Sequence, residues 1–328
     1  PDIEITLEGS RDVRPQTIIS GKIKKLTNQE YYLYKKIPQN GMEFGTIEGL
    51  IDKTPYQLSM RVMYQSCFVG GVQNTGKTSS LRYLIMLLAQ QQNAPAQIVF
   101  DAEEEYFNLI NIPTNQDSRL KTLEYGIKPI DSKKYEVISF GGDSKYCLTL
   151  RDIDPLDLPL FLHELTSITY STLKRIIKNI LDSNKGKDFT FPELKQAILK
   201  HLDLKEYRIN SATKSAIERA LMPISLDLFD KPNCVPIDVK SMLESSKITI
   251  LNCFDANDEE QRLIAFFLLC ALHKHKMKKR NVEYDSGVLF YLDEVQRLLP
   301  KLLSNSDNQK RIVHFLGENH HRGRKRKY

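Results

Sequence analysis

Gly71-Val72-Gln73-Asn74-Thr75-Gly76-Lys77-Thr78 decides the fold of this chain, because it satisfies G-x-x-x-x-G-K-[ST] at every fixed position. Its flanks have the required character. Cys67-Phe68-Val69 reads as a buried strand, and Leu81 to Leu88 is an almost wholly apolar helix start. In a strand, glycine loop and helix arrangement, the glycines let backbone amides turn inward around a β-phosphate. Lys77 then neutralises β and γ oxygens, the Thr78 hydroxyl ligates Mg²⁺, and the helix N-terminus adds its positive dipole. The nucleotide-binding set is therefore Gly71, Val72, Gln73, Asn74, Thr75, Gly76, Lys77, Thr78 and the following Ser79, with ATP and Mg²⁺ as the expected ligands.

Outward from this loop, four further apolar runs end at polar or glycine residues. Ile98-Val99-Phe100 ends in Asp101, and Val137-Ile138-Ser139-Phe140 ends in Gly141-Gly142. Ile248-Thr249-Ile250-Leu251 precedes Asn252, and Val288 to Leu292 precedes Asp293-Glu294. Continuously apolar strands separated by helical segments are what a parallel sheet covered on both faces requires, so the fold class is α/β. Asp101 is placed at a strand end next to the strand that leads into the phosphate loop. A stretch of helical periodicity at about 155–240 reads as an insertion. Within it, Thr190-Phe191-Pro192-Glu193 has the N-cap hydroxyl, early proline and third-position glutamate of a capping box. A further helix is predicted from Glu259 to about Lys279, passing from an apolar body to a basic end. Residues 1–55 read as a small β-rich module, with Thr17-Ile18-Ile19 and Tyr31-Tyr32-Leu33-Tyr34 as short strands, and 56–328 as the core.

A phosphate loop alone binds; hydrolysis also needs an acid to orient the metal and a group to position water, ideally at a neighbouring strand end. Asp293 and Glu294 meet that need: Asp293 holds Mg²⁺ through water and Glu294 polarises the attacking water. An Asp-Glu pair is also a common helix start, but beside a phosphate loop the site reading prevails.

The 328 residues carry 47 Lys and Arg against 41 Asp and Glu, a formal charge of +6, with 41% hydrophobic residues. No run of some 18 uncharged apolar residues is present, and Pro1 to Ile5 lacks the basic and apolar segments of a signal peptide, so a cytoplasmic protein without membrane partners is expected. Five cysteines, odd in number, scattered and without ligand spacing, read as buried free thiols. The basic clusters His273 to Arg280 and Arg322 to Lys327 read equally as phosphate contacts or as solvated ends. His314, His320 and His321 lack a Cys or acid at ligand spacing and read as loop residues.

Asp101-Ala102-Glu103-Glu104-Glu105-Tyr106 resembles the Asp-Pro-His-Gly-Glu-Tyr segment of HerA-type ATPases, keeping Asp101, Glu105 and Tyr106. Leu292-Asp293-Glu294-Val295-Gln296 through Pro300 is similar to the family's Asp-Glu-Ala-His stretch, with Val295-Gln296 in place of Ala-His. Gly323-Arg324-Lys325 resembles the family's later Gly-Arg-Lys element. Over roughly Phe44 to Lys325 the chain is thus identified as a member of the HerA and FtsK superfamily.

The resemblance implies a RecA-like ATPase that assembles as a homohexamer and pumps double-stranded DNA, with a NurA-like nuclease as a partner. It implies catalytic roles for Lys77, Glu294, Glu105 and Arg324, the last acting on a neighbouring subunit's nucleotide with Arg322 as its rival, and metal-site roles for Thr78, Asp293 and Asp101. It also implies a further strand beyond Tyr328, so the chain is expected to be truncated. Genome-packaging or transfer ATPases, and an ATP-dependent switch or scaffold, stand as the alternative functions.

Overall fold

The computed structural model of the chain describes Thr27, Glu30 and residues 41–47, 54–63, 69–70, 75–111, 127–162, 165–222, 228–231, 233–278 and 287–293. The chain divides into two compact units, Pro1–Val62 and Met63–Tyr328. In the first, β1 (Met42–Ile47) and β2 (Thr54–Leu58) pair antiparallel, with an irregular step between Glu43 and Gly45. β2 spans position 55, the expected edge of the module. The strands expected at Thr17–Ile19 and Tyr31–Tyr34 lie outside the described residues, as do Cys67 and Phe68.

The second unit runs α1 (Lys77–Ala89), β3 (Ala96–Asp101), β4 (Tyr135–Gly141), β5 (Tyr146–Cys147), α2 (Ser167–Ser183), α3 (Phe191–Leu202), α4 (Ser211–Leu221), β6 (Val235–Pro236), β7 (Ile248–Asp255), α5 (Asp258–Lys278) and β8 (Val288–Leu292). Its main sheet has the order β4-β7-β3-β8, every pairing parallel. All six residues of β3 are buried, as expected for a central strand with helices on both faces. Each of the four apolar runs after the phosphate loop has become a strand of this sheet.

Side-chain alternation sorts the core. Val99, Ile248 and Ile250 point to the face covered by Ile85 of α1, whereas Ile98, Phe100, Leu251 and Cys253 point to the face covered by Ile264, Phe267 and Leu268 of α5. Gln97 is fully buried without being orphaned: its Nε2 donates to the Ile85 carbonyl at 3.1 Å and its Oε1 accepts from the Tyr291 hydroxyl at 2.8 Å. One amide therefore ties α1, β3 and β8 together. The structure corrects the expected position of Asp101: both edges of β3 are taken, by β7 and β8, so β3 is not paired with the strand leading into the phosphate loop. In a parallel sheet, neighbours are set by where crossover helices pack rather than by chain order.

The insertion is helical, as its periodicity indicates. Leu173, Ile176, Ile177 and Ile180 bury one stripe of α2, and the Thr190 capping box forms in full, with Glu193 Oε2 accepting from the Thr190 N–H at 2.9 Å. At its root, β5 and β6 pair in parallel, and a bridge joins Leu148 to Phe229. That pairing brings Cys147 and Cys234 to a Cα separation of 5.8 Å, and they form a disulfide. The expectation of free thiols is thus overturned for these two, because 87 positions of sequence separation conceal a contact made by strand pairing. Cys253 and Cys270 are free and buried. Burial, joined by the charges of Asp101 and Asp157 respectively, raises both thiols above their ordinary range. Among the described residues no helix is long and apolar enough to cross a membrane.

Two thiol measurements check this arrangement. The chain unfolded without reductant should titrate two fewer thiols than after reduction, and in the native state Cys253 and Cys270 should not react with iodoacetamide at mildly alkaline pH. Reduction should also lower the melting temperature, since the cross-link closes a long loop whose constraint contributes about 4 kcal/mol or less.

Candidate nucleotide and metal site

The helix start carries the first half of the site. Gly76 is the N-cap of α1 at φ 83°, in the left-handed region that favours glycine, and supplies no side chain to cap the first-turn N–H groups. Those groups have no intrahelical acceptor, and the first turn, opening with Lys77, Thr78 and Ser79, contains no acid. The result is an anion-receptive helix end. Thr75, Gly76 and Ser79 are exposed, and Lys77 and Thr78 half-buried; Gly71 to Asn74 lie outside the described residues.

Strand register supplies the second half. β3 and β8 run parallel with Phe100 opposite Leu292, so the next residues, Asp101 and Asp293, emerge side by side at the carboxyl edge of the sheet. On the other side of β3, Asp101 is level with Asn252. Ligands of open parallel sheets bind beyond this edge. Across the same edge, the Thr78 hydroxyl donates to Asp293 Oδ2 at 3.4 Å, joining helix start to strand end over 215 positions of sequence.

Asp101 has a different environment. It is 1% exposed, and its Oδ1 and Oδ2 accept the backbone N–H groups of Glu105 and Tyr106 at 2.9 and 2.8 Å. Burial raises its carboxyl above the ordinary value, outweighing the lowering pull of backbone N–H groups from Tyr106, Glu105 and Glu103. The turn so held includes Glu104 at φ 59°, whose Oε1 accepts from Asn252 Nδ2 at 3.3 Å. It delivers Tyr106, 1% exposed, with its hydroxyl donating to Asp293 Oδ2 at 2.6 Å. The Tyr135 hydroxyl reaches the carbonyls of Tyr106 and Phe107 at 3.0 and 2.7 Å. Burial, then the Asp293 hydrogen bond and charge, push the Tyr106 phenol far above its ordinary range, so it remains a donor.

Thr78, Asp293, Asp101 and Tyr106 are therefore brought to one edge, and Glu105 is exposed on the connecting turn. Tyr135, Asn252 and the direct reach of Tyr106 to Asp293 were not anticipated; the only sequence signal was the retained Asp-x-x-x-Glu-Tyr spacing. Glu294, Arg322 and Arg324 lie outside the described residues, as do His314, His320 and His321. In the basic run from His273, Lys274 Nζ donates to the Arg151 and Ile153 carbonyls at 2.6 and 2.7 Å, and His275 Nε2 lies 3.5 Å from Asp152 Oδ1. These two side chains brace the root of the insertion. The cluster Arg322 to Lys327 is not described.

The donor set fits Mg²⁺ bound with a nucleotide. A hydroxyl and a carboxylate are hard oxygen donors, and Mg²⁺ is held by few protein oxygens together with phosphates and water rather than by an all-protein cage.

A family model described as "Helicase HerA, central domain" matches residues 50–272, more than half of the chain. The chain belongs to the HerA helicase family. The match spans the phosphate loop, the Asp101 turn, the insertion and most of α5, and ends before β8. Among solved structures the chain is similar to VirB4 of Thermoanaerobacter pseudethanolicus, at 16% identity and a TM-score of 0.41, over 77% of this chain and 90% of that one. No residue role is carried over from so distant a likeness. No curated protein matches. With family membership, a P-loop ATPase core with a mostly parallel sheet is the fold in which this site sits.

Asp101→Asn replaces one acceptor oxygen by a donor facing a backbone N–H, and it also removes a buried charge. The two effects oppose each other in stability, so the melting free energy should change by only about 1 kcal/mol, while ATP turnover should fall by about tenfold as the turn loosens. Calorimetry and a phosphate-release assay on the same preparation check both parts.

Proposed function

We propose that this chain is an ATP-hydrolysing motor that translocates double-stranded DNA as a homohexameric ring. The ATPase half of this reading is carried by the Thr78 hydroxyl meeting the Asp293 carboxylate at the carboxyl edge of a parallel sheet. The DNA half is supported by membership in a family named for a helicase. A NurA-like nuclease or another DNA-processing protein is its proposed partner.

In the proposed reaction Lys77 pairs with the β- and γ-phosphate oxygens of ATP, and the N–H groups opening α1 cradle the β-phosphate. Thr78 and Asp293 would hold Mg²⁺ beside the phosphates with their hard oxygen donors. Mg²⁺, when bound, neutralises charge developing on the transferred phosphoryl group. Glu294, next in sequence to Asp293, orients the attacking water and takes its proton. Arg324 of a neighbouring copy supplies positive charge to the γ-phosphate. Asp101, expected at the metal, is reassigned: both its oxygens hold the turn that follows β3. Glu105, exposed on that turn, remains the acid assigned to ordering water at the site.

Single-turnover ATP hydrolysis with and without duplex DNA separates a motor from a nucleotide-dependent switch. Stimulation by DNA of tenfold or so is expected, with Glu294→Gln retaining ATP binding and losing hydrolysis by about a thousandfold. Lys77→Ala should lose binding itself. A wild-type rate indifferent to duplex DNA would sink the translocase reading while leaving the ATPase intact.

A further inference from the structure

The strongest unassigned contact at the site is the one between Tyr106 and Asp293. Resting on the ATPase reading above, we infer that Tyr106 is a positioning residue for the metal site: its buried hydroxyl fixes the orientation of the Asp293 carboxylate at the carboxyl edge.

Geometry carries this assignment. Asp293 Oδ2 accepts two hydroxyls, from Tyr106 at 2.6 Å and from Thr78 at 3.4 Å. The phenol thus occupies one oxygen of the carboxylate and fixes the plane of the group at the strand end. The two contacts differ in strength. At 2.6 Å the phenol bond lies in the range of charge-assisted O–H···O⁻ bonds, whereas the Thr78 contact is long. The phenol therefore sets the carboxylate's rotamer, and the Thr78 hydroxyl follows it.

The phenol itself is held at three points. The ring is 1% exposed and packed in the core with Ile85, Val99 and Leu109. Its backbone N–H is fixed by Asp101 Oδ2 at 2.8 Å, and its carbonyl by the Tyr135 hydroxyl at 3.0 Å. A donor immobilised in this way costs little further entropy when it orders the carboxylate, which is how a supporting group tunes a metal site without touching the ion. Asp101 and Tyr135 thus act on the metal site through Tyr106. The reason for an aspartate five residues before a tyrosine is mechanical: a strand-end carboxylate caps the turn that returns the phenol to the next strand's end.

The test removes one oxygen. In Tyr106→Phe, the Mg²⁺ concentration needed for half-maximal tightening of a fluorescent ATP analogue should rise by about tenfold or more, as for other groups that orient metal-binding carboxylates. The analogue's affinity without Mg²⁺ should stay within about twofold. An unchanged Mg²⁺ dependence overturns the assignment, as does a loss of Mg²⁺-free nucleotide binding, which marks a merely structural role. Should the variant not fold, the wild-type chain with tyrosines ¹³C-labelled at ring Cζ answers the question by NMR. A slowly exchanging hydroxyl proton that disappears in Asp293→Ala supports the bond, and its absence overturns it. Wild-type protein that does not bind the analogue at all defeats the ATPase reading itself, a result distinct from either failure of Tyr106.

Discussion

The parallel register of β3 against β8 is the constraint on which the rest of the site depends. Because Phe100 lies opposite Leu292, the residues that leave the sheet on the two strands do so at the same level. A slip of one residue would reverse which side chains of β8 face α1 and would carry Asp293 away from Thr78. Burial makes that slip expensive. β3 is buried along its whole length, and Gln97 Oε1 would lose the Tyr291 hydroxyl, leaving a polar atom unsatisfied in the core. The same amide holds the Ile85 carbonyl, so the helix carrying Lys77 and Thr78 is locked to the strands carrying the acids. Core packing and active-site register are here one constraint.

Strand ends alone do not orient side chains, and the turn after β3 supplies what they lack. Asp101 sits in a costly environment, since burial disfavours its charge, yet backbone N–H groups repay much of that cost. An apolar residue in its place would leave the N–H groups of Glu105 and Tyr106 without these acceptors. Glu104 accepts a left-handed backbone in the same turn and is tied to Asn252 of β7, level with Asp101. Three strands, β7, β3 and β8, are thus stitched by side chains at the level of Asp101. At the neighbouring strand, Gly141 has φ 87°, and a Cβ there would approach the Asp255 backbone to 2.5 Å, so the β4 end closes on β7 by a contact only glycine permits.

Much of this was legible from residue order. Apolar runs at Ile98, Val137, Ile248 and Val288 became strands because each is long enough and apolar enough to be buried on both faces. Thr190 and Glu193 announced a helix start because both halves of a capping box lie within four residues of sequence. What escaped was everything decided by distance across the fold. Strand order depends on crossovers, so the neighbours of β3 were misplaced. The Cys147–Cys234 disulfide depends on pairing of two-residue strands too short to register as periodicity. The reach of Tyr106 to Asp293 spans 187 positions, and nothing local to either residue signals it. The basic run at His273 carries the same lesson, since Lys274 finds backbone carbonyls of the insertion's root rather than open solvent.

That root also decides what kind of object the helical insertion is. Its helices do not enclose a core of their own: Leu173, Ile176, Phe191 and Ile198 belong to the same continuous apolar cluster as Phe100, Phe140 and Leu251 of the sheet and Phe267 of α5. Phe229 stacks on Phe191 of the insertion at 4.9 Å between ring centroids, and edge-on to Phe267 of α5 at 5.5 Å. The disulfide and the β5–β6 pair close the insertion's two ends, and Lys274 fastens its entry segment to α5. Moving the insertion against the sheet would therefore expose shared core and break paired backbone, whereas in the turn after β3 the exposed Glu103, Glu104 and Glu105 bury little between the anchors Asp101 and Tyr106. Conformational response to a nucleotide is cheapest where least apolar area is at stake, and at the carboxyl edge that is the exposed acidic stretch of this turn.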